Sequence, residues 1–160
     1  MMTESCYAEP TIPRRQSLAE MQANEQLVRR FFDEVWNLKN EAAVDELLTP
    51  DCIAYGLPDP DAVLNGPEDF KAVFRMFIGA FPDVRITIHD VIAAGDRVAV
   101  RWSSLGTHLG PHLGFPPTGK RIDLDGATIG VIRDGRIAQA WNMMDMGHLF
   151  DSIRPEPRRE

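Results

Sequence analysis

Two hydrophobic periods divide this chain. From Ser17 to Ile78 apolar residues recur every three to four positions, and from Val84 onward they alternate. The first spacing is that of a helix face and the second that of a strand face. Leu27, Phe31 and Val35 stand at i, i+4 and i+8, with Val28, Phe32 and Trp36 one step behind. This predicts a helix over 17–38 with a stripe wide enough to pack on a sheet. Asn40 suits the cap of a short helix through Leu48, which Pro50-Asp51 ends. Cys52 to Tyr55 reads as a short strand, followed by a turn over Gly56-Leu57-Pro58-Asp59-Pro60. A third helix follows Gly66-Pro67, with Glu68 and Asp69 at its positive end and Phe70, Val73, Phe74, Phe77 and Ile78 on one face.

Four long strands are then predicted over 84–94, 96–108, 120–133 and 136–146. Tight turns at Ala94-Gly95-Asp96 and Arg133-Asp134-Gly135 join two of the pairs. A Gly/Pro-rich stretch over 109–119 makes the remaining joint, and a final short helix begins near Met146. Helices first and an antiparallel meander afterwards define an α+β fold, with the sheet curled around the helices as a cone. In strand 120–133, Gly126, Thr128 and Gly130 share one face and predict a hollow beneath the helices. Ile129 and Val131 on the other face predict a second copy of the chain packed there, a homodimer or higher oligomer.

Length and charge narrow the classes. With 160 residues the chain fits one domain, set at 17–153 between tails at 1–16 and 154–160 that read as mobile. The net charge of −7 argues against nucleic acid and against an anionic membrane surface as partners. No apolar run approaches the roughly 18–20 residues of a membrane span. MMTESCYAEPTIPRRQ has no apolar core segment of the secretory type, so the expected location is the cytoplasm. Cys6 and Cys52 make no disulfide framework.

One ordered set of motifs carries a family likeness. The run GTHLGPHLGFPPTGKR, Gly106 to Arg121, resembles the signature of SnoaL-like polyketide cyclases, within the superfamily of nuclear-transport-factor-like cones. Phe81-Pro82-Asp83, Gly95-Asp96-Arg97-Val98, Asp134-Gly135-Arg136-Ile137, Trp141 and Asp145 stand in that family's order. So do Phe31 to Asn37 and Leu47 to Asp51, and the likeness covers about residues 24 to 150. It implies a cone-shaped α+β barrel, oligomers packed through the sheet, and no metal or organic cofactor. It also implies ring closure on polyketide-like substrates by an intramolecular aldol step. Relatives isomerise, hydrolyse epoxides or assist hydroxylation.

An aldol closure needs a group that moves a proton next to a carbonyl and a group that stabilises the enolate. Asp145, at the end of the last strand, is the carboxylate expected for the first task; it equally suits the N-cap of the final helix. The resemblance places an aspartate directly after Trp141 in ring-closing members, and here that position is Asn142, an amide able only to donate or accept a hydrogen bond. Gly126 and Thr128 stand where those members carry polar partners. His112 is expected to reach a ligand from the loop over the mouth, and His108 to hold that loop or touch the ligand. A zinc role for the His-x3-His pair is disfavoured by Gly110 and Pro111 between them. Phe32, Trp36, Tyr55, Trp102, Thr128, Trp141 and Met143 complete the predicted substrate pocket, which suits a flat apolar or aromatic molecule. The function expected is a cofactor-independent cyclase or isomerase. A non-catalytic binding protein, an epoxide hydrolase and a hydroxylation-assisting protein are the alternatives.

Overall fold

A computed structural model describes residues 16–157. The expected N-terminal tail, Cys6 included, lies outside the described residues except for Gln16. Of the C-terminal tail, 154–157 is described and carries no helix or strand. The elements run α1 (Leu18–Phe31), a π-helical turn (Phe32–Asn37), α2 (Ala42–Leu47), β1 (Leu48–Tyr55), β2 (Val63–Asn65), α3 (Gly66–Ala80), β3 (Arg85–Ala94), β4 (Arg97–Thr107), β5 (Arg121–Arg133), β6 (Arg136–Met144) and α4 (Met146–Ile153). No described helix is long and apolar enough to cross a membrane.

Ser17 starts α1 with a capping box. Its hydroxyl accepts from the Glu20 N–H at 3.2 Å, and the Glu20 carboxylate accepts from the Ser17 N–H at 2.8 Å. The predicted helix does not stay α-helical to Leu38. At Phe32 it widens into a π turn, marked by the i→i+5 bond from the Leu38 N–H to the Asp33 carbonyl at 2.8 Å. The extra residue lets Phe31, Phe32 and Val35 all be buried, with Trp36 half-buried beside them. Asn37 then pairs with β3 as a strand would: its amide donates to the Ile86 carbonyl at 2.9 Å and accepts from the Ile86 N–H at 2.7 Å. Lys39, in left-handed backbone, donates to the carbonyls of Trp36, Asn37 and Val84 and so satisfies the freed end of the turn.

The six strands form one sheet in the order β2-β1-β6-β5-β4-β3. β3 to β6 make the expected antiparallel meander, and the β5–β6 turn has left-handed backbone at both Asp134 and Gly135, as a type I′ turn requires. β1 begins four residues earlier than its pattern suggested. It adds to the sheet parallel to β6, and the short β2 pairs with it. Both pairings are non-local, which is why no local pattern announced them. Register breaks in β3 near His89 and in β6 near Ala138 are bulges that bend the sheet. The bent sheet wraps α1, the π turn and α3. Its inward rows, including Val98, Val100, Trp102, Ile122, Leu124 and Ile132, form the core with Val35, Val44, Phe74 and Phe77.

Candidate functional site

Between the helices and the inner face of the sheet lies a cavity of about 110 Å³. One enclosed water needs roughly 10–15 Å³ on the same measure, so the space suits a small organic molecule rather than a lone solvent site. Its wall is mostly aliphatic and aromatic: Val28, Phe31, Phe32, Trp36, Phe70, Phe77, Phe81 and Trp102 contribute, with apolar residues of β1 and β3 to β6. Trp36 is held edge-on against Phe70 and Phe74, with centroids 5.9 and 5.5 Å away.

Among the described residues, four with polar side chains line this space apart from the two tryptophans and Cys52: Ser104, Thr128, Gln139 and Asn142. Three wall residues form a relay. The Trp102 Nε1–H donates to Thr128 Oγ1 at 3.1 Å, and the Thr128 hydroxyl donates to Asn142 Oδ1 at 3.1 Å. Asn142 Nδ2 then donates to the Tyr55 carbonyl at 3.0 Å. The indole only donates, so the proton order along the chain is set from that end. One N–H of Asn142 remains outside the relay. The relay is built by register: Thr128 lies opposite both Asn142 and Val100 on its neighbouring strands. Gly126 serves it too. A Cβ there would come 2.3 Å from Trp102 Cζ2, so only glycine leaves room for the indole across the strand. The hollow expected over Gly126 is therefore filled by Trp102.

The structure brings together Phe32, Trp36, Trp102, Thr128 and Asn142 and leaves the other predicted site residues elsewhere. Asn142 points inward, so its neighbours Trp141 and Met143 lie on the outer face. Tyr55 stacks on Trp141 there at 5.6 Å and 12°, with the Arg97 guanidinium 5.8 Å from the Trp141 ring centroid. Tyr55 serves the relay through its backbone alone. Asp145 is exposed and caps α4, accepting from the His148 N–H at 2.8 Å, and it is absent from the cavity wall. His112 is exposed and rests on Gly79, where a Cβ would come 2.6 Å from its imidazole. Leu109 and Gly110 N–H groups bond the Ala80 carbonyl at 2.9 and 3.2 Å, pinning the signature loop to the end of α3. His108 is fully buried and organises that loop: its Nδ1 accepts from the Thr118 N–H at 3.2 Å, and its backbone pairs with Lys120 and Gly119.

Ser104, Gln139, Phe81 and Leu149 line the cavity and were not expected to. For Ser104 the signal was present, because it shares strand parity with Trp102. Among the described residues the cavity wall holds no carboxylate, histidine, lysine or arginine. Its one thiol, Cys52, is pushed up from its ordinary value by burial, which outweighs a backbone hydrogen bond from Gly66. Among the described residues no three potential ligands cluster to hold a metal.

Comparison with known proteins agrees with this architecture. The family described as SnoaL-like polyketide cyclase matches residues 26–153. No curated protein matches the chain. Among solved structures, a protein from Jannaschia sp. CCS1 assigned to the SnoaL-like polyketide cyclases is 25% identical, with a TM-score of 0.79 over 90% of this chain and 99% of its own. TsrD from Streptomyces laurentii is 30% identical, with a TM-score of 0.70 over 86% and 96%. IdmH from Streptomyces antibioticus, named for polyketide cyclisation, is 26% identical, with a TM-score of 0.70 over 81% and 96%.

Proposed function

The chain belongs to the SnoaL-like polyketide cyclase family, and within that family we propose that it binds a small, neutral, apolar carbonyl compound inside the cone and polarises its carbonyl, without supplying a proton-transfer group of its own. Asn142 carries this reading. Its free N–H is a fixed donor in an apolar wall, and a hydrogen bond to a carbonyl oxygen made there is stronger than in water. The aromatic wall supplies apolar contact for a flat ligand. Among the described residues no side chain in the wall changes charge near neutral pH, so an aldol closure in this cavity draws its proton movements from the substrate or from solvent. The protein then acts as a binding and folding template for a polyketide-like molecule.

Trp36 and Trp102 line the cavity and report its occupation by their fluorescence. Replacing Asn142 with Leu removes the donor and breaks the relay. The expected result is roughly tenfold weaker binding of an aromatic ketone, the worth of one good hydrogen bond. Asn142→Asp places a carboxyl in apolar surroundings that raise its pKa toward the range of a general base. This variant is expected to accelerate hydrogen–deuterium exchange next to the ketone, followed by NMR, while the natural chain does not. Exchange by the natural chain as fast as by Asn142→Asp would sink the template reading.

The outer face of the sheet supports a second part of the proposal, association with another copy. Val63, Tyr55, Trp141, Ile129, Ala99 and Ile92 are successive cross-strand partners, one row across all six strands. Every member is apolar or aromatic, and Val63 and Ile92 are 48% and 65% exposed. A continuous apolar row of this kind suits an interface that buries it.

A further inference from the structure

The inward row of β4 runs Val98, Val100, Trp102, Ser104, Gly106 and then, just past the strand, His108. Phe81 divides it. A Cβ on Gly106 would lie 3.4 Å from Phe81 Cβ, and the Phe81 ring packs 5.7 Å from the His108 imidazole. His108 is sealed behind that wall with no accessible surface, whereas Ser104, 5% exposed, lines the cavity in front of it. Ser104 is thus the last polar side chain before the end of the cavity.

Among the described residues its cross-strand partners offer the hydroxyl no polar side chain. Its register partners are Ile86 and Leu124, both apolar and both in the cavity wall. The neighbouring backbone groups are engaged in the ladders of a strand paired on both sides. Ser104 is 5% exposed, and its hydroxyl is not among the sealed, unpartnered polar atoms, which fits the cavity as the place where its remaining surface opens. Alanine would fill this position without leaving an unpaired polar group.

We infer that Ser104 is a second hydrogen-bonding subsite of the cavity, selecting a neutral ligand with one oxygen at each end of an apolar body. The inference rests on the cavity being the ligand site proposed above. Ser104 lies four residues along β4 from Val100, whose register partner is Thr128 of the relay. Asn142 lies a further two strands across from Val100, so the two polar groups stand apart on the inner face with apolar wall between them. A hydroxyl both donates and accepts, so a second carbonyl, a phenol or an alcohol fits. A carboxylate or ammonium group does not, because among the described residues the wall holds no charged partner for it.

Two probes separate the ends. 2-Acetylnaphthalene carries only the carbonyl, and 6-hydroxy-2-acetylnaphthalene adds an oxygen at the far end. Titration of the full chain, followed by calorimetry, is expected to show the hydroxylated probe binding about tenfold more tightly. Ser104→Ala is expected to abolish that preference and leave the affinity for 2-acetylnaphthalene unchanged. Asn142→Leu is expected to weaken both probes. Equal affinities in the natural chain, a preference that survives Ser104→Ala, or an equal loss for both probes in Ser104→Ala would overturn the subsite alone. Failure of both probes to bind would overturn the cavity as a ligand site, and the subsite with it.

Discussion

Asn142 and Trp141 are neighbours in the chain and face opposite sides of the sheet. The alternation of a strand forces this, and it separates a wall residue from an outer-face residue. Gly126 and Trp102 show the same dependence across strands, since the glycine exists to seat the indole that begins the relay. Gly126→Ala is expected to displace Trp102, break its bond to Thr128 and cost about 1–3 kcal/mol, read by urea denaturation and tryptophan emission. Unchanged stability would mean that the indole has room elsewhere. Asp145 belongs to α4 rather than to the cavity. Asp145→Ala is expected to cost about 0.5–2 kcal/mol through the lost cap and to leave ligand affinity untouched. A large loss of affinity at full stability would return Asp145 to the site.

Among the elements, the turn from α3 into β3 is tied to the end of β4 by one carboxylate. Asp83 accepts from the Thr107 N–H and from the Thr107 hydroxyl, each at 2.7 Å. Partial burial pushes its pKa up, but the two Thr107 hydrogen bonds, aided by the Lys39 charge, prevail and hold it below the ordinary value. A depressed folded-state pKa means the unfolded chain takes up the proton first. The stabilisation is therefore complete above the unfolded value near pH 4 and is lost as pH falls through the lower folded value. Asp83→Asn is expected to flatten this acid limb in urea titrations between pH 2 and 6. A limb as steep as that of the natural chain would place the effect on other carboxylates. The π turn is the other decisive element, because it admits Phe32 and Trp36 to the cavity wall together.

For the whole molecule, the six-strand apolar row predicts self-association through the outer face. Ile129→Glu puts a charge at the centre of the row, opposite both Ala99 and Trp141. The expected result is a shift from dimer toward monomer in light scattering, with the cavity and its ligand affinity retained. A natural chain that is monomeric at high concentration would remove the basis for this interface.

Periodicity and turn chemistry are local, and they made the first three helices, the four-strand meander and the Asp134-Gly135 hairpin readable from the chain alone, whereas the cap read at Asn40 falls on Glu41, which makes no side-chain cap bond. The motifs from Gly106 to Arg121 likewise identified the family, and the position after Trp141 identified the wall residue Asn142. The parallel seat of β1 beside β6, the choice of inward face and the seating of Trp102 over Gly126 joined residues far apart in sequence. Only tertiary structure could decide them. That is why Tyr55, Trp141 and Met143, apolar and well spaced for a pocket, fell on the outside, while the parity Ser104 shares with Trp102 became a place in the cavity wall only once the inward face was fixed.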